Sequence, residues 1–129
     1  MNGPLILIVE DNARNAKLLR DVLQAAGYRT VDTTTAEEGI EVARRDHPDL
    51  ILMDIQLPGM DGKAALRELR GHPETARIPV MAVTASVMQL ERKDIMAQGF
   101  DGFQEKPLSV HSLLKEVRRI LGQPAAPIE

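Results

Sequence analysis

Five times along the chain a short apolar or β-prone run is followed by a longer amphipathic stretch, and this alternation limits the fold more than any other feature. The first run is LILIV at Leu5–Val9, the second is LILM followed by aspartate within residues 49–54, and the third is PVMAVT at residues 79–84. Runs this short and this continuously apolar suit strands covered on both faces, as in the interior of a parallel sheet. Arg29–Thr33 and residues 102–106 are weaker strand candidates, placed mainly by their spacing.

The stretches between them read as helices. Leu18, Leu19, Val22 and Leu23 form a stripe along residues 13–26, which Gly27 ends. Thr35 with Glu38 makes a capping box opening a helix to about Arg45, and Ser86 with Gln89 repeats the pattern before a helix that ends ahead of Gly99. Residues 62–70 carry Ala65, Leu66 and Leu69 on one side, and Ser109 can cap a last helix with Val110, Leu113, Leu114, Val117 and Leu121 at helical spacing. Strand-helix alternation implies right-handed crossovers and an α/β fold: a doubly wound five-stranded parallel sheet of order 2-1-3-4-5 with five helices, of the flavodoxin-like kind. The 129 residues suit one domain spanning 1–129, with a core over about 4–121 and a flexible tail at 122–129.

Composition removes several functions. There is no cysteine, hence no disulfide, thiolate metal site or cysteine nucleophile, which fits a cytoplasmic location. Lys plus Arg total 16 against 19 for Asp plus Glu, the basic residues are scattered, and only Tyr28, Phe100 and Phe103 are aromatic. That balance argues against a nucleic-acid partner. No apolar run is long enough to enter or cross a membrane, and the opening residues lack the basic start of a signal peptide.

Ligands of open parallel sheets bind beyond the carboxyl ends of the strands, where strand order reverses. The residues expected there are Glu10 and Asp11 after the first strand, Asp54 after the third, Thr84 after the fourth and Lys106 after the fifth. Carboxylates crowded together need a cation, a raised pKa, or both. Magnesium favours oxygen ligands and keeps several waters, so two carboxylates, the Gln56 backbone carbonyl and water would satisfy it. Asp54 could then attack a phosphoryl group as nucleophile, with the metal, Lys106 and the Thr84 hydroxyl offsetting charge on the phosphoryl oxygens.

These residues sit in longer matching segments: LILIVEDN at 5–12, PDLILMDIQLPGMDG at 48–62, IPVMAVTAS at 78–86 and GFDGFQEKPLS at 99–109. In this order the chain resembles bacterial two-component response regulator receiver domains from about Pro4 to Leu121, and within them single-domain regulators of the DivK type. The resemblance implies Asp54 as phosphoacceptor, Glu10, Asp11, Asp54 and the Gln56 carbonyl as the Mg2+ site (Mn2+ an acceptable substitute), and Thr84 and Lys106 as phosphate contacts. It also implies Phe103 as the aromatic switch and a cis Lys106–Pro107 bond. The implied donor is a histidine kinase or histidine phosphotransfer protein. The implied output is a protein bound on the surface of the fourth helix, fifth strand and fifth helix, by a monomer or weak homodimer. The chain would assist its own phosphorylation and dephosphorylation without turning over a separate substrate, so it is not an enzyme in the ordinary sense.

Each residue also has an ordinary use. Asp11 suits a helix start, Thr84 a strand and Lys106 a surface, while Phe103 stands open between a core ring and a moving one. Met81, Met88 and Met96 read as core filler. His47, His72 and His111 lack metal-ligand spacing, and GMDGK at 59–63 lacks the spacing of a phosphate loop. Two rival functions remain weighed. A phosphohydrolase with an aspartyl-phosphate intermediate would want a second carboxylate where Gln56 stands. A flavin carrier would want more aromatic rings.

Overall fold

The computed structural model describes residues 3–55, 59–60, 62–84, 89–106 and 109–122, apart from the side chains of 89–92. The elements are β1 (Leu5–Val9), α1 (Ala13–Ala25), β2 (Arg29–Thr33), α2 (Ala36–Asp46), β3 (Leu50–Asp54), α3 (Gly62–Arg70), β4 (Val80–Thr84), α4 (Gln89–Ala97), β5 (Gly102–Glu105) and α5 (Val110–Leu121). All strand pairs are parallel, in the order β2-β1-β3-β4-β5. This is the doubly wound α/β fold expected from the alternation.

Side-chain parity along the strands builds two cores. Leu7, Val9, Ile51, Met53, Val80 and Ala82 pack against α2, α3 and α4 on one face. Their neighbours Ile6, Ile8, Leu50, Leu52, Met81 and Val83 pack against α1 and α5 on the other. Successive strand residues point to opposite faces, so a strand apolar at every position must be covered twice. The edge strand β2 holds only exposed or half-covered residues until Thr33, which explains its weak sequence signal.

Local signals set the helix ends. Thr35 Oγ1 accepts from the Glu38 N–H at 3.1 Å, but the Glu38 carboxylate turns to the N–H and hydroxyl of Thr34, so the reciprocal half of the capping box is displaced by one residue. Ser109 caps α5 through the Ser112 N–H, while Ser86 lies outside the described residues. His47 ends α2 in the left-handed region at φ 49°, an unusual conformation for a side chain with a Cβ. Met81 is buried, but Met96 is 42% exposed on α4, which corrects its reading as core filler; Met88 lies outside the described residues. The tail read at 122–129 is described only at Gly122.

Candidate functional site

Parallel pairing brings the carboxyl ends of β1, β3, β4 and β5 to one edge of the sheet. The ladder runs slightly past the strands: Glu10 N–H donates to Thr33 at 3.0 Å, Ile55 N–H to Val83 at 3.1 Å and Lys106 N–H to Thr84 at 2.7 Å. Asp54 is in register with Val83, and Thr84 with Glu105. Backbone hydrogen bonds therefore fix the positions of Glu10, Asp54, Thr84 and Lys106 before any side-chain contact is made. The start of α3 is drawn in as well. A Cβ at Gly62 would stand 2.6 Å from Ile55 Cα, so only glycine lets the helix close on the residue after Asp54.

Glu10, Asp11 and Asp54 each place a carboxylate oxygen within 4.8 Å of the others, the single such potential metal-binding group among the described residues. Glu10 and Asp54 are buried and Asp11 is exposed, so the cluster opens to solvent on the Asp11 side. Lys106 Nζ lies 2.9 Å from Glu10 Oε1 and 3.2 Å from Asp54 Oδ2. The contact with Asp54 has hydrogen-bond geometry. The contact with Glu10 is an ion pair outside hydrogen-bond geometry, so Glu10 Oε1 is buried without a hydrogen-bond partner among the described residues. The second Glu10 oxygen, Oε2, accepts from the Asn12 N–H at 3.1 Å.

Burial pushes the Glu10 carboxyl above its usual range, against the pull of Lys106 and the Asn12 N–H and with added repulsion from Asp54. Burial pulls the Lys106 ammonium down, but the Glu10 and Asp54 carboxylates outweigh it and hold Lys106 above its ordinary value. With every group ionised, three carboxylates face one ammonium, so negative charge is left over. The donor set is all oxygen, it converges, and one buried oxygen lacks a hydrogen-bond donor. A hard divalent cation such as magnesium fits this set, whereas a soft metal would want nitrogen or sulfur.

Thr84 is 1% exposed at the end of β4. Phe103 pairs in register with Ala82 and is half-buried against the core beneath α4. Gln56 and the Lys106–Pro107 bond involve residues outside those described. His47, His72 and His111 stand on separate elements: His47 ends α2, His72 makes a 3.3 Å contact with Glu68, and His111 is exposed on α5. Asn12 was not singled out by sequence reasoning. Its signal was available, because asparagine directly before a helical stripe is a preferred cap.

Comparison with known proteins gives one answer from three directions. The family model described as the response regulator receiver domain matches residues 6–118. The polar-differentiation response regulators DivK of Brucella ovis and Brucella melitensis are 42% identical over 117 residues, spanning 91% of this chain and 95% of theirs. Among solved structures, the receiver domain of a sensor histidine kinase from Pseudomonas aeruginosa superposes with a TM-score of 0.86 at 33% identity, over 94% of this chain and 99% of that one. Its crystal structure has a magnesium ion coordinated in the active-site cleft. The receiver domain of a histidine kinase from Syntrophus aciditrophicus gives 0.84 at 32% identity, over 98% of both chains.

Proposed function

We propose, starting from the fact that this chain belongs to the response regulator receiver domain family, that its phosphoacceptor is Asp54 and that phosphorylation there depends on Mg2+. Receiver domains are signalling switches of two-component systems. The observation that carries the residue assignment is the convergence of Glu10, Asp11 and Asp54 with the Lys106 ammonium at one sheet edge.

Asp54 ends β3, held there by the ladder to β4. A carboxylate oxygen of Asp54 attacks the phosphorus of a phosphohistidine, the nitrogen-phosphorus bond breaks, and the phosphoryl group is carried as an acyl phosphate. Lys106, already 3.2 Å from Asp54, offsets charge on the transferred oxygens, and the Thr84 hydroxyl donates to one of them. Glu10 and Asp11, with Asp54 and the Gln56 carbonyl, would hold the metal. Bound there, magnesium would offset the negative charge that gathers on the phosphoryl oxygens. The magnesium-bearing cleft of the Pseudomonas aeruginosa receiver supports the same ion here, with manganese as a substitute.

The donor is a histidine kinase or histidine phosphotransfer protein in the cytoplasm. Phosphate then shifts a two-state domain through Thr84 and Phe103, and the changed α4-β5-α5 surface binds an output protein. The two cores draw residues from β1 through α5, which supports action as one domain over about residues 4–121. The test is incubation with Mg2+ and a small acyl-phosphate donor, read by intact mass. Wild type gains one phosphoryl group and Asp54→Asn gains none; equal labelling of both overturns the assignment.

A further inference from the structure

We infer that Asn12 is a positioning residue for the metal site, acting through its role as the cap of α1; the inference rests on the Mg2+ reading above.

Asn12 makes two different connections from one residue. Its side-chain Oδ1 accepts from the Asn15 N–H at 3.1 Å, and its backbone is extended at φ −88° and ψ 118°. Its own N–H donates to Glu10 Oε2 at 3.1 Å, and its carbonyl accepts from Ala16 at 3.0 Å. The cap therefore fixes the plane of the Asp11–Asn12 peptide, and that peptide holds one oxygen of the Glu10 carboxylate.

The consequence reaches the charged cluster. With Oε2 pinned, Glu10 Oε1 is left facing Lys106 Nζ at 2.9 Å, unable to turn away from the basin. Asp11 lies between the two pinned residues, so the same peptide sets the backbone from which its exposed carboxylate extends. Neither carboxylate touches the Asn12 side chain in any described contact. Asn12 acts on both by holding the Asp11–Asn12 peptide that follows them. Residues that orient metal ligands from behind usually change affinity when removed.

The experiment measures Mg2+ affinity by calorimetry and unfolding by urea in wild type, Asn12→Ala, Asn12→Ser and Thr35→Ala. Thr35→Ala removes an equivalent cap from α2, remote in sequence from the carboxylates, and controls for loss of a cap as such. Asn12→Ala is expected to weaken Mg2+ binding by about tenfold. Asn12→Ser, which keeps a capping oxygen, should return to near the wild-type affinity, and Thr35→Ala should keep it. An unchanged affinity in Asn12→Ala, or an equal loss in Thr35→Ala, overturns the inference while leaving the metal reading standing. Wild type that binds no Mg2+ overturns the metal reading itself. If Asn12→Ala does not fold, Asn12→Gly, well tolerated at caps, removes the same side-chain bond and is read in its place.

Discussion

Lys106 Nζ stands 3.2 Å from Asp54 Oδ2, across 52 residues of sequence, and the same nitrogen stands 2.9 Å from Glu10 Oε1. One ammonium is thus shared between two buried carboxylates, with Asp11 adding a third close by. The arrangement suits binding of a cation and of a phosphoryl group better than it suits the stability of the metal-free chain.

Asp54→Asn tests that imbalance. Two like charges about 4 Å apart cost on the order of 4 kcal/mol at an intermediate dielectric, part of which Lys106 offsets. Removing the Asp54 charge leaves Lys106 paired with Glu10, so no buried ammonium is orphaned. The variant should be more stable than wild type by about 1 kcal/mol without metal, seen as a higher urea midpoint. Added Mg2+ should raise the wild-type midpoint and affect the variant much less. A metal-free variant less stable than wild type would show that the Asp54–Lys106 contact outweighs the repulsion.

Glu10 sets the pH response of the same site. Its folded pKa is raised by burial, so its contribution to stability is fully present below the unfolded value near 4.5 and is lost as pH rises through the raised folded value. Metal-free protein should therefore lose this contribution as pH rises above the ordinary carboxylate range, and Glu10→Gln should flatten that part of the profile. Mg2+ affinity should run the other way, falling on acidification from above the ordinary carboxylate range as Glu10 takes up a proton. Urea unfolding of metal-free protein and isothermal titration with Mg2+, each followed from the ordinary carboxylate range upward in pH, check the two slopes. Affinity that stays flat until below the ordinary range would show that Glu10 does not govern metal binding.

The strand positions were legible because β1, β3 and β4 are covered on two faces and so carry unbroken apolar runs ending in the site residues. Once those three strands were placed, Glu10, Asp54 and Thr84 followed from where each run stopped. Lys106 needed the weaker β5, whose four residues are GFQE, and was found by spacing and resemblance. What stayed hidden depends on contacts between distant segments. Nothing in LRELRGHP marks Arg70 as reaching the turn before β5, and nothing about Met96 shows that its side of α4 faces outward. The Glu38 carboxylate choosing Thr34 over Thr35 is a rotamer outcome that the capping-box pattern cannot resolve.

Arg70 is the most connected of those hidden residues. From the end of α3 its guanidinium donates to the carbonyls of Ile78 at 2.6 Å, Ala76 at 3.2 Å and Gly99 at 3.3 Å, and to the Asp101 carboxylate at 3.0 Å. Asp101 in turn accepts from the Val80 N–H at 2.9 Å, so one cation ties α3 to both the entry of β4 and the turn before β5. Exposed ion pairs contribute little, but charged hydrogen bonds to backbone carbonyls contribute more. Arg70→Ala should cost about 2 kcal/mol in urea unfolding. Arg70→Lys should recover little of that, because an ammonium cannot span a four-acceptor fork. A loss near zero would show that water replaces the guanidinium without penalty.

Tyr28 offers a direct optical check of the α1–α5 core. It is the single tyrosine in a chain without tryptophan, and it lies 7% exposed among Ile6, Leu23 and the α5 residues Leu113 and Val117. Burial raises its phenol above the ordinary value of 10.0, partly opposed by the charge of Arg118. A phenol raised in the folded state contributes stability that is fully present below its unfolded value and disappears as pH climbs through the folded one. Tyrosinate absorbance should therefore develop at higher pH in native protein than in urea-unfolded protein. Stability should fall over that same interval, and Tyr28→Phe should lose less stability across it. Coincident native and unfolded titrations would place the Tyr28 hydroxyl in water and contradict the packing of α1 against α5 around it.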